Sequence, residues 1–112
     1  MPQPVSERIA LVAPSLEAAA LLRRDLIAAL VARGHRVLCL TPPGPAKYAR
    51  ILRGEGALHR VIETPRTALR MIDDWQEGAA LVAQFKDWQP NIVLAFGLRT
   101  LTLCLLYTSR CV

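Results

Sequence analysis

The sequence predicts an α/β fold, a parallel sheet with helices on both faces. Three observations carry this. Four short runs, "RIALVA", "RVLCLT", "ALHRVI" and "NIVLAF", are apolar and rich in Val, Ile and Leu. They mostly lack strict alternation, as strands buried on both faces do. Between them lie stretches of helical composition that end at Gly or Pro. The order β-α-β-α-β-α-β needs crossover connections, and these cover the sheet on both sides.

The first strand is expected over residues 8–13, closed by Pro14. "SLEAAALLRRDLIAALVARG" follows as one helix, because Ala, Leu and Arg are good helix formers. Ser15 is its expected N-cap, with Glu17 in the first turn. Leu22, Leu26, Ala29 and Leu30 recur at helical spacing and predict its apolar face. Gly34 is the expected C-cap. The second strand spans residues 36–41 and stops at "PPGP". "AKYARILRGEG" predicts a short helix ending at Gly54 or Gly56.

The third strand is expected over residues 57–62. "PRTALRMIDD" reads as loop or turn, and Asp73 or Asp74 as the cap of a second long helix. That helix offers Trp75, Leu81, Val82, Phe85 and Trp88 to a core and ends before Pro90. The fourth strand covers residues 91–96. Together these make a Rossmann-like sheet. Ligands bind such sheets outside the carboxyl ends of the strands, where strand order reverses. "PSLE", "TPPGP", "ETPR" and "GLRT" lie there.

With 112 residues the chain suits one domain or one lobe. It is 53% hydrophobic, enough for a core that excludes general disorder. The net charge of +5 fits a solvated basic surface or an anionic partner. Arginines are dispersed and few aromatics interleave with them, so no nucleic-acid partner is expected. The three cysteines form no CxxC pair and no zinc spacing, and Cys39 reads as a small buried hydrophobe. "MPQPVSE" is no signal peptide, and no apolar run reaches the roughly 18 residues of a membrane span.

No GxGxxG follows the first strand, and no GxxxxGK[ST] is present. No cofactor and no metal are expected. His35 follows a helix end and should face solvent, while His59 lies in a strand. Lone histidines in such settings are structural more often than catalytic. Arg66 and Arg99 follow the third and fourth strands at the ligand edge, where a guanidinium can hold phosphate with two parallel hydrogen bonds.

The stretch "RIALVAPSLEAAALLRRDLIAALVARGHRVLCLTP" resembles the opening of the family 4 glycosyltransferases, with "LVARGHRV" matching their L-x-x-x-G-H-x-V pattern. "VIETPRTALRMIDDWQEGAALVAQFKDWQPNIVLAFGLRT" is similar to the subgroup that builds lipid-linked and capsular saccharides. Arg66, Asp73, Pro90, Gly97 and Arg99 occupy that subgroup's pattern positions. Asn91 stands where an Asp is usual, Phe96 for Tyr or His, Arg99 for Lys and Thr100 for Pro.

The resemblance covers roughly residues 8–100. It implies the partial amino-terminal lobe of a two-lobe GT-B fold, on the acceptor side of the cleft. The implied reaction moves a sugar from a nucleotide-sugar donor to a saccharide or polyprenyl-linked acceptor, with retention at the anomeric centre. The implied acceptor-side residues are Pro14, Ser15, Leu16, Glu17, Arg66, Asp73, Gly97 and Arg99. The implied location is the cytoplasm, at the inner face of the membrane, with peripheral contact to it.

Residues 1–7 are expected to be disordered. "CLLYTSRCV" does not supply the sheet-covering helix that should follow "GLRT". Residues 101–112 are therefore expected to be a non-native tail, and the chain a piece of a larger enzyme, inactive without its donor lobe. The alternative is a non-enzymatic Rossmann-like or flavodoxin-like binding module. "APSLEAA", however, lacks the Gly- and hydroxyl-rich phosphate loop that a flavin module needs.

Overall fold

A computed structural model describes residues 6–62 and 70–97, with backbone alone for 70–75. The elements run β1 (Arg8–Val12), α1 (Leu16–Leu22), α2 (Arg24–Ala32), β2 (Arg36–Thr41), α3 (Ala46–Gly54), β3 (Leu58–Val61), α4 (Arg70–Trp88) and β4 (Ile92–Ala95). The strands form one sheet in the order β3-β2-β1-β4. All three pairings are parallel, with Leu11 opposite Cys39 and Leu94, and Leu40 opposite Arg60. The expected parallel α/β architecture is met.

Two apolar layers flank the sheet. On one face Leu11, Val37 and Cys39 pack against Leu16, Ala19 and Ala20 of α1, Ile27 of α2 and Leu52 of α3. On the other, Ala10, Val12, Leu38, Leu40 and Val93 pack under Leu81, Phe85 and Trp88 of α4. Central strands buried on both faces explain why β1 and β2 read as continuous apolar runs. Cys39 is buried as expected, and burial pushes its thiol up to about 12, so it stays protonated.

The single first helix is corrected to two. The buried positions Leu16, Ala19 and Ala20 set a stripe whose next members are Arg23, Arg24 and Ile27. An unbroken helix would aim two guanidinium groups at the core, which is costly without partners. The helix instead breaks at Arg23, with φ −111° and ψ 8°. Arg24 then reaches Glu55 Oε1 at 2.7 Å. The expected apolar face is corrected with it. Leu22 is 71% exposed and Leu26 37%, Ala29 is exposed, and only Leu30 of that set packs on the core.

Ser15 caps α1 as expected, its Oγ accepting from the Ala18 N–H at 3.0 Å. Gly34 ends α2 with positive φ. The long helix α4 begins at Arg70, not at an aspartate cap. Asp73 is its fourth residue, inside the helix. No Gly or Pro stands between Pro65 and Gly78, so nothing in the sequence delays the helix to Asp73. His35 is half-buried rather than solvent-facing, since its Nδ1 accepts the Glu7 N–H at 3.1 Å and ties down the start of β1. Among the described residues no helix is long and apolar enough to cross a membrane.

Candidate functional site

The chain leaves β1 for β2 and β3 on one side, then returns through α4 to place β4 on the other side of β1. Strand order therefore reverses between β1 and β4. The crevice this opens at their carboxyl ends is where such folds seat ligands.

The ladders hold up to that edge. Ala13 N–H donates to the Leu40 carbonyl at 3.1 Å, and Phe96 N–H to the Val12 carbonyl at 2.9 Å. Beyond it, Pro14 and Gly97 meet. A Cβ placed on Gly97 would lie 3.4 Å from Pro14 Cβ and Cγ, and Gly97 has φ +94°. The left-handed backbone suits glycine, while a Cβ there would make only ordinary contact with Pro14. The loop after β2 closes the other flank, where Gly44 packs against Leu16.

The aromatic side chain of Phe96 carries the guanidinium of Arg23, with Cζ 4.0 Å from the ring centroid. Helical side chains lean toward the helix N-terminus, which brings Arg23 up from the α1–α2 break to the sheet edge. Phe96 itself packs on the core layer below. Among the described residues Arg23 has no hydrogen-bond or acidic partner, so its in-plane N–H groups stay available.

Of the expected acceptor-side residues, five are gathered here. Pro14, Glu17 and Gly97 are exposed, Ser15 is half-buried and engaged as a cap, and Leu16 is buried in the core. Leu16 can therefore present only backbone to the crevice. Asp73 is placed on α4 by its backbone alone. Arg66 and Arg99 lie outside the described residues. The Arg23–Phe96 pair was not read from the sequence as a unit.

His59 is on the α3 side of β3, its Nε2 2.8 Å from Thr41 Oγ1. Thr41 donates its only hydroxyl proton to the Pro42 carbonyl at 2.9 Å, so His59 donates from Nε2. Burial, then the charge of Arg53, hold the His59 pKa below its ordinary value. His59 thus ties β3 to the last residue of β2. Among the described residues no group of three or more His, Cys, Asp or Glu is gathered closely enough to hold a metal ion.

No family model matches the chain, and no curated protein matches it. Solved structures do. The glycotransferase of kitacinnamycin is 22% identical with a TM-score of 0.64, over 93% of this chain and 29% of that one. CalG4, the calicheamicin glycosyltransferase, is 14% identical with a TM-score of 0.62, over 93% of this chain and 31% of that one. A deacetylase of teicoplanin biosynthesis, solved in complex with teicoplanin, is 13% identical with a TM-score of 0.67, over 89% and 65%. The chain spans under a third of either glycosyltransferase. At these identities the likeness is one of fold, and the same fold carries different chemistries in the three neighbours. The chain is a four-stranded, parallel, Rossmann-like α/β unit, built like part of known glycosyltransferases and of a deacetylase.

Proposed function

We propose that this chain is part of a glycosyltransferase that moves a sugar from a nucleotide-sugar donor to a saccharide or lipid-linked acceptor, and that it forms the acceptor side of the cleft. The observation that carries the proposal is the strand-order reversal between β1 and β4, with Pro14 beside Gly97 and Arg23 on Phe96 at its carboxyl end. Its setting in a fold similar to two glycosyltransferases supports the same reading.

On this reading Pro14, Ser15, Leu16, Glu17 and Gly97 shape the crevice. Arg66, Asp73 and Arg99 are proposed to contact the acceptor. Sugar transfer develops negative charge on the departing diphosphate, and fixed cationic groups stabilise it most where water is excluded. A cytoplasmic enzyme at the inner membrane face would meet both a nucleotide sugar and a polyprenyl-linked acceptor.

The test is to express the complete reading frame that contains this chain. It is incubated with nucleoside-diphosphate sugars and with polyprenyl-phosphate or oligosaccharide acceptors, and released nucleoside diphosphate is measured. Release that depends on acceptor is the expected result. Absence of acceptor-dependent release with every donor would remove the transferase reading and leave a binding module.

A further inference from the structure

Arg23 is the one described residue at the β1/β4 crevice that combines a full charge, a fixed position and unused donors. Its neighbour Arg24 is engaged, with Nε 2.7 Å from Glu55 Oε1. Arg8 donates from Nε to the Gln89 carbonyl at 2.8 Å, and Arg60 is held by Gln84 and Asp87 at 2.9 and 2.7 Å. Arg23 has only the face of Phe96, at 4.0 Å. That contact seats the guanidinium against the ring, and no described residue takes its N–H groups. A planar fork of donors held this way matches two oxygens of one oxyanion.

We propose that Arg23, seated on Phe96, is a binding residue for the phosphate of the ligand that enters the β1/β4 crevice. This deepens the reading above and rests on it only for the ligand's identity as an acceptor. The break between α1 and α2 then has a consequence beyond sparing the core a charge. It delivers one cation to the place where strand order reverses and leaves the next cation to tie α2 to the end of α3. Phe96 serves as the platform: without its ring, the guanidinium keeps its charge but loses its support.

The experiment uses the 112-residue chain. Farnesyl monophosphate, glucose 6-phosphate, inorganic phosphate and farnesol are titrated in by calorimetry, and the Arg23 Nε–H resonance is followed by NMR. The three phosphates should bind and shift that resonance, and farnesol should not. Farnesyl monophosphate binding best points to a lipid-linked ligand, glucose 6-phosphate binding best to a saccharide, and equal binding to the phosphate alone. Arg23→Gln should weaken binding roughly tenfold or more, the scale of a lost charged hydrogen-bond pair.

Phe96→Leu should weaken binding in the same direction with the charge intact. Arg24→Gln removes the same formal charge one residue away and should change affinity little. Thermal unfolding of each variant separates lost binding from lost folding. The proposal is overturned if no phosphate binds, if Arg23→Gln binds like the parent, or if Arg24→Gln weakens binding as much. Arg23-dependent phosphate binding in a complete enzyme that transfers no sugar would remove the transferase reading and leave this site standing. Transfer unaffected by Arg23→Gln would do the reverse.

Discussion

His59 Nε2 and Thr41 Oγ1 are 2.8 Å apart, and this hydrogen bond joins β3 to the final residue of β2. Its direction is set by Thr41, whose hydroxyl donates onward to Pro42. The His59 pKa is lowered by burial and then by Arg53, so the folded chain favours the neutral ring. Above the unfolded-state value of about 6.5 the ring is neutral in both states, and the stability it contributes is fully present. As pH falls below that, the unfolded chain takes up the proton first. Stability then declines until the folded ring is protonated too. Unfolding followed by circular dichroism between pH 8 and 4.5 should show this loss, and His59→Gln should flatten it. A titration midpoint for His59 above 6.5 would show that its surroundings stabilise the cation instead.

The turn from α3 into β3 has a second, steric constraint. Gly56 has φ +91°, and a Cβ there would stand 2.8 Å from Val31 Cγ1. Val31 is β-branched and stiff about χ1, so it yields poorly. Gly56→Ala should cost about 2 kcal/mol or more, combining left-handed strain with the clash. Urea unfolding of Gly56→Ala alone and with Val31→Ala separates the two parts. The pair should be less costly than the sum of the single changes. Strict additivity would show that Val31 does not feel the new methyl group.

Ile27 is fully buried while Leu22, five residues earlier, is 71% exposed. Ile27→Ala should destabilise by about 2–5 kcal/mol, the usual cost of emptying a core position. Leu22→Ala should stay within roughly 0.5 kcal/mol. A helix continuous through Arg23, with Leu22 on the core face, requires the opposite ranking. Chemical denaturation of the two variants decides between these geometries.

This contrast also shows what the sequence could disclose. The sheet was legible because β1 and β2 are buried on both faces, and burial of that kind leaves an uninterrupted apolar run. Ser15 and Gly34 were legible because caps are local chemistry. The break at Arg23 was not, since no Gly or Pro marks it. It follows from a tertiary fact, that the stripe through Leu16 and Ala20 runs into charge just as it meets the sheet. The start of α4 was missed for the converse reason. Aspartates suggested a cap where the helix was already under way. At the site, Pro14 and Gly97 could be placed from strand ends alone, whereas the Arg23–Phe96 contact spans 73 positions of sequence and no local pattern joins them.

Ser15 stands in the crevice and also caps α1, and these roles predict different rescues. Its Oγ accepts the Ala18 N–H at 3.0 Å, satisfying one of the amides left free at the start of the helix. Ser15→Ala should cost about 1 kcal/mol, read as a lowered unfolding temperature. Ser15→Asp keeps a capping oxygen and adds favourable charge at the helix start, so it should restore that stability. It also places a carboxylate beside the crevice where a phosphate is proposed to bind. If Ser15 only caps, Ser15→Asp recovers phosphate affinity together with stability. If the hydroxyl lies close to the phosphate, Ser15→Asp is as stable as the parent yet binds farnesyl monophosphate several-fold more weakly, because two anions then share one site. The crevice reading predicts the second pattern, and full recovery of affinity in Ser15→Asp would move the phosphate away from α1.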